Sequence, residues 1–189
     1  VTAPMYSRSS EPVRFERDCD AVLVPQGEAV SLPAGSVGYI TQALGGSFTV
    51  FVEGNLFRIA GRDADAIGKD PPQPLELAEG ADDAAVEKLV WHQLRSCFDP
   101  EIPINVVELG LVYRVEVLPH PDRAGERRVD IEMTLTAPGC GMGDVLVADV
   151  RDKVELIPTV AEADVELVFD PPWNRSMMSE VARLETGMF

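Results

Sequence analysis

The stretch DPPQPLELAEGA, residues 70–81, divides the chain into two segments with different hydrophobic rhythms. Pro71, Pro72 and Pro74 cannot donate ladder hydrogen bonds and they stiffen the backbone, so residues 71–81 are expected to form a linker. Before it, short apolar runs at Ala21–Val24, Glu28–Leu32, Val37–Leu44, Ser47–Val52 and Leu56–Ile59 are each bounded by Gly, Pro or Asn. Phe48, Val50 and Val52 alternate with Thr49 and Phe51, and Gly54-Asn55 reads as a two-residue hairpin turn. Five short strands over residues 13–70 predict a small SH3-like β-barrel, since closure removes exposed edges. Residues 1–12 are polar and small and are expected to be a flexible terminus.

After the break the period changes. Val86, Leu89, Val90, Leu94 and Cys97 recur at helical spacing, with Asp82 and Asp83 placed to favour the positive end of that helix. Leu111, Tyr113, Val115 and Val117 predict a strand, as do Val129, Ile131, Met133 and Leu135, with residues 118–127 turning between them. Leu146, Val147, Val150, Val154 and Ile157 return to helical spacing, Val165, Leu167 and Phe169 give a strand, and Met177, Val181 and Leu184 give a last short helix. The order α-β-β-α-β-α over residues 82–189 predicts an α+β fold, a two-layer sandwich with helices on one face of a small sheet.

Charge narrows the function. The chain has 189 residues, 16 Lys plus Arg against 32 Asp plus Glu, and a net charge of −16. The first 73 residues hold 6 basic and 9 acidic side chains and the remainder 10 and 23, so the excess is concentrated after the break. An acidic chain repels phosphate backbones and anionic lipid, which argues against nucleic-acid and membrane binding. No run approaches a membrane span and the first residues carry no apolar signal core, so the expected location is cytoplasmic. Cys19, Cys97 and Cys140 are odd in number and far apart, and with His92 and His120 they form no zinc or disulfide pattern.

The most informative segment is TAPGCGMGD, Thr136 to Asp144. It places Cys140 in a loop between a strand and a helix, beside backbone N–H groups at the positive end of the helix dipole, which favours thiolate. Gly139, Gly141 and Gly143 let the backbone come close to a bound group. A Gly-rich turn with an incidental thiol is the other reading of the same residues. In FDPEIP, Pro100 and Pro103 hold Asp99 and Glu101 in fixed directions, although a helix stop with solvated carboxylates is the simpler account. Cys97 lies on the apolar stripe and is expected to be buried. Asp170-Pro171-Pro172-Trp173 reads as a strand terminator. His92 and His120 are expected at the surface, leaving Cys140 without a basic partner for nucleophilic catalysis.

Taken together, DPEIPINVVELGLVY (Asp99 to Tyr113), TLTAPGCGMGDVL (Thr134 to Leu146) and VFDPPWNRSMMSEVARLETG (Val168 to Gly187) resemble the PaaD-like family of iron–sulfur assembly factors. The resemblance is to its SufT branch, in which such a domain follows a β-rich extension. It implies a non-enzymatic factor in iron–sulfur cluster maturation, working with SUF-type assembly proteins and apo iron–sulfur clients. It places the family's reactive cysteine on Cys140 and its DPE motif on Asp99, Pro100 and Glu101, with Thr136, Gly139, Gly141, Gly143, Asp170 and Trp173 as supporting motif residues. Gly141 stands where Pro is commoner in the family, as in the SufT branch. Iron–sulfur clusters usually take four thiolates, so one Cys140 implies a transient cluster: two chains share it as a homodimer, or a partner supplies the other ligands. A client-docking adaptor without thiol chemistry and a thiol-dependent hydrolase or transferase are the alternatives.

Overall fold

The computed structural model describes residues 10–99, 102–139 and 141–187. The chain divides into two compact units, one ending at Gln73 and the other starting at Pro74. Strands and helices are both present, and the class is mixed α+β.

The first unit carries β1 (Glu11–Arg14), β2 (Cys19–Val24), β3 (Glu28–Leu32), β4 (Val37–Leu44), β5 (Ser47–Val52) and β6 (Asn55–Ile59). They form one antiparallel sheet in the order β1-β4-β5-β6-β2-β3. The sequence reading missed β1. Its first residues, Glu11 and Pro12, pair with Ile40 and Tyr39 instead of belonging to a loose terminus; residues 1–9 lie outside the described residues. A four-residue strand containing a proline shows no alternation to read, and only an edge position tolerates it. Among the described residues no ladder joins β1 to β3, so the sheet has two edges where a closed one was expected. The β5–β6 turn also falls one residue earlier than read. Val52 pairs with Asn55, leaving Glu53 and Gly54 in the turn at φ 47° and 88°, the positive values that a type I′ turn requires.

A short 3₁₀ helix, Gly61–Ile67, follows β6, and its Ala66 and Ile67 complete a core with Phe15, Cys19, Val50 and Ile59. Arg17 fastens this helix to the β1–β2 connection. Its guanidinium donates to both Asp65 oxygens at 2.9 and 2.7 Å and to Asp63 at 3.0 Å. These hydrogen bonds hold the Asp65 carboxyl below its ordinary value.

The second unit contains α1 (Asp83–Leu94), β7 (Val112–Pro119), β8 (Arg127–Met133), α2 (Gly143–Glu155), β9 (Val160–Leu167), a 3₁₀ turn at Arg175–Met177, and α3 (Glu180–Thr186). The Asp82 side chain caps α1 by accepting from Ala85 N at 2.9 Å. β8 is central, antiparallel to β7 and parallel to β9. Val86, Val90 and Leu94 of α1 and Leu146, Val150 and Val154 of α2 are buried with Val129, Ile131 and Met133 of β8 in one core. The alternate β8 residues Arg128 and Asp130 point the other way, and Arg128 pairs with Asp130 and Asp164 at 2.6 and 2.7 Å. At the outer edge of the sheet, Glu155 accepts a hydrogen bond from Ala163 N at 3.2 Å.

Three sequence expectations change here. Leu75 and Leu77 pack against the second core, so the proline-rich stretch is in part docked chain and not a free spacer. β9 ends at Leu167, and Phe169, read as its last residue, is 46% exposed. In the last helix Val181 and Leu184 are exposed, while Ala182, and Met178 just before the helix, are buried. A seven-residue helix preceded by an irregular turn shows too few periods to fix which side is inward.

The Arg17–Asp65 pairing predicts a pH dependence. Because the folded carboxyl is depressed, its stabilisation is present above the unfolded carboxylate pKa, about 4, and is lost as pH falls through the lower folded value. The melting-temperature difference between wild type and Arg17→Met should therefore be largest near neutrality and shrink in acid. A difference independent of pH would remove the pairing from the stability of this unit.

Candidate functional site

β8 ends at Met133 and α2 begins at Gly143, so the connection from Thr134 to Met142 leaves the carboxyl end of one strand and enters the amino end of a helix. Its root is firmly held. Thr134 is 1% exposed and donates its N–H to Leu111 O at 2.8 Å, and Met133 O accepts from Val168 N at 2.8 Å. Leu135 packs under the helix start: a Cβ on Gly143 would lie 2.8 Å from Leu135 Cδ1 and would push that side chain aside. Among the described residues no side chain caps the start of α2. Gly139 and Gly141 are exposed, with Gly139 at φ 77°. Cys140 itself lies outside the described residues.

The DPE segment approaches this loop through one residue. Asp99 is 7% exposed, which corrects the expectation of a solvated carboxylate. Its Oδ1 accepts from Ile102 N at 2.9 Å, and Thr136 Oγ1 lies 3.5 Å from its Oδ2. Burying a carboxylate costs free energy unless donors surround it, and here the donors belong to the loop that follows Asp99 and to the root of the cysteine loop. Pro100 and Glu101 lie outside the described residues. Cys97, two residues earlier, is fully buried, with Sγ 3.5 Å from Gln93 O. The ends of α1 and α2 are tied nearby, where Gln93 Nε2 donates to Lys153 O at 2.7 Å and Lys153 Nζ to Ser96 O at 2.6 Å.

The DPPW motif does more than end a strand. Asp170, Pro171 and Pro172 are exposed, but Trp173 is partly buried and its Nε1 donates to Leu109 O at 2.7 Å. Tyr113 Oη donates to Pro171 O at 2.7 Å. The loop that receives these ties is itself well defined: Asn105 Oδ1 accepts from Val107 N and Glu108 N, and Gly110 reverses the chain at φ 72°. Sequence reasoning passed over Tyr113, Asn105 and Gly110. An asparagine followed five residues later by glycine is a legible turn signal, whereas the Tyr113 contact depends on chain 58 residues away.

The remaining candidates are dispersed. His92 is exposed on α1, and His120, expected at the surface, has a side chain only 9% exposed, with Nε2 3.3 Å from Glu162. Cys19 lies in the first unit, where burial, aided by Asp63, pushes its thiol up to about 11. Among the described residues no three His, Cys, Asp or Glu side chains are grouped so as to hold a metal ion, and no helix is long and apolar enough to cross a membrane.

Residues 87–166 match the family model described as "Iron-sulfur cluster assembly protein". A "Fe-S protein maturation auxiliary factor" of Porphyromonas gingivalis is 45% identical over 101 residues, 53% of this chain and 90% of that protein. The chain belongs to this SufT-like family. Two further relatives are the "Fe-S protein maturation auxiliary factor SufT" of Staphylococcus aureus, 41% identical over 48% of this chain and 96% of that protein, and the factor YitW of Bacillus subtilis, 34% identical over 55% and 96%. In this family member the matched span runs from within α1 through β7, β8, the loop from Thr134 to Met142 and α2 into β9.

Two outcomes follow from the site. Limited iodoacetamide treatment followed by mass spectrometry should label Cys140 first, because Cys19 and Cys97 are buried in the two cores. Preferential labelling of Cys97 would contradict this. Gly110→Ala would bring a Cβ within 2.2 Å of Met177 O at a positive φ, and should cost about 1–3 kcal/mol in urea unfolding.

Proposed function

We propose that this chain is a non-enzymatic factor in iron–sulfur cluster maturation, with Cys140 as a cluster ligand or transfer thiol. Membership of the SufT-like family supports the cluster as cargo. The observation that carries the thiol assignment is the setting of the loop: a glycine-flanked connection entering a helix start that no described side chain caps, where the helix dipole favours thiolate. A soft thiolate suits iron, and one such ligand holds a cluster only in passing, with a second chain or a partner completing the set.

Within this reading Asp99, Pro100, Glu101 and Thr136 shape the loop, Gly139, Gly141 and Gly143 give a cluster room to approach, and Asp170 and Trp173 support it from the carboxyl-terminal side. The partners are SUF-type assembly proteins and apo iron–sulfur clients in the cytoplasm. The assembly domain spans residues 82–189, and the β-rich first unit is a separate module, with residues 71–81 between them.

Complementation of a deletion strain, read out by the activity of an iron–sulfur enzyme such as aconitase, tests the assignment. Cys140→Ser should fold, by circular dichroism, and fail to complement, because a hard hydroxyl replaces an easily ionised thiol. Asp99→Ala should complement in part, since it loosens the loop and leaves the ligand in place. Full complementation by a folded Cys140→Ser protein would leave docking without thiol chemistry as the function.

A further inference from the structure

We infer that the segment from Asp170 to Ser179 is a strap that braces the root of the Cys140 loop, with Tyr113 and Trp173 as its positioning residues. The inference rests on the reading of Cys140 given above and adds to it the residues that hold the loop in register.

The strap starts beside the root and returns to it. Val168 N binds Met133 O on one side of Thr134, and two residues later the chain leaves the sheet at Asp170. It then crosses the loop before β7. Tyr113 Oη holds Pro171 O, Trp173 Nε1 holds Leu109 O, and Ser179 N donates to Glu108 O at 2.8 Å. Between these ties the backbones touch, since even a methyl group on Gly110 would collide with Met177 O. Leu111, fully buried and next along the chain, presents the carbonyl that receives Thr134 N. The root is thus fixed by hydrogen bonds to Val168 on one side and Leu111 on the other, and the strap links those two sides.

Anchoring a carboxyl-terminal segment needs only apolar burial, which Met178 and Ala182 already supply at 3% and 0% exposure. The polar ties are additional, and two of them land on the consecutive residues Glu108 and Leu109. Hydrogen bonds give direction where apolar contact gives only adhesion, so these ties set the position of the 108–111 backbone and through it the root. The prolines Pro171 and Pro172 restrict slack in the span between Val168 and Trp173.

The test uses the full chain and two conservative variants. Trp173→Phe keeps a ring in place and removes the N–H, and Tyr113→Phe removes one hydroxyl. In amide hydrogen exchange followed by NMR, Trp173→Phe should speed exchange at Thr134 and Leu111 by about fivefold, the effect of losing one hydrogen bond, with Ile131 unchanged. Tyr113→Phe should give the same pattern, and it stands in if Trp173→Phe does not fold. Wild-type exchange at Thr134 in the folded variants would overturn the brace, as would uniform acceleration along β8, which marks general destabilisation. Faster exchange at Thr134 together with full complementation by a folded Cys140→Ser protein would uphold the brace and bring down the Cys140 reading.

Discussion

The parallel pairing of β8 with β9 is the constraint from which the second unit follows. Antiparallel neighbours can be joined by a tight turn, as β7 and β8 are, but a parallel neighbour has to be reached by a crossover that returns the chain to the starting end. Here α2 is that crossover, and its apolar side, Leu146, Val150 and Val154, covers the sheet that it spans. The loop from Thr134 to Met142 is the ascending half of the connection. It starts at the carboxyl end of β8, the end that the parallel β9 shares, where crevices form in sheets of this kind.

That arrangement explains why Asp99, a polar motif residue, is buried. Asp99 leaves α1 and reaches the same end of the sheet, where Ile102 N and the Thr136 hydroxyl surround its carboxylate. A buried carboxylate with donors from two separate segments resists movement of either, since separating them strands a charge. Asp99 and Thr136 are far apart in sequence and form one structural joint. Trp173 and Tyr113 make a second joint on the other side of the loop before β7.

Much of the second unit was legible because its elements are long enough to show a period. The alternation of Val129, Ile131 and Met133 marks β8, and the stripe Val86, Val90 and Leu94 marks α1; both sets are buried as their phase requires. What failed was short or depended on distant chain. β1 has four residues, one of them proline, and α3 has seven, so neither shows a repeat. Asp99 looked solvated because acidic residues after a helix usually are, and nothing local announces that Thr136 comes to meet it. The turn at Glu53–Gly54 was misplaced because asparagine next to glycine is a stronger textual signal than glutamate, although Glu53 tolerates φ 47° here. The cysteine loop stood out in the sequence through its glycines, whereas the ties that hold its root are backbone bonds and leave no trace in residue type.

Glu155 has a consequence for how this protein behaves in a crowded solution. β9 is the last strand of its sheet, and an unpaired outer strand invites a foreign strand to add to it. The carboxylate at the end of α2 occupies Ala163 N, a donor that such an intruder would need, and it presents negative charge where a backbone carbonyl would have to approach. The same residue that finishes the crossover helix therefore acts as a gatekeeper against intermolecular β-association. A guarded edge keeps chance encounters with partly folded chains from ending in aggregation.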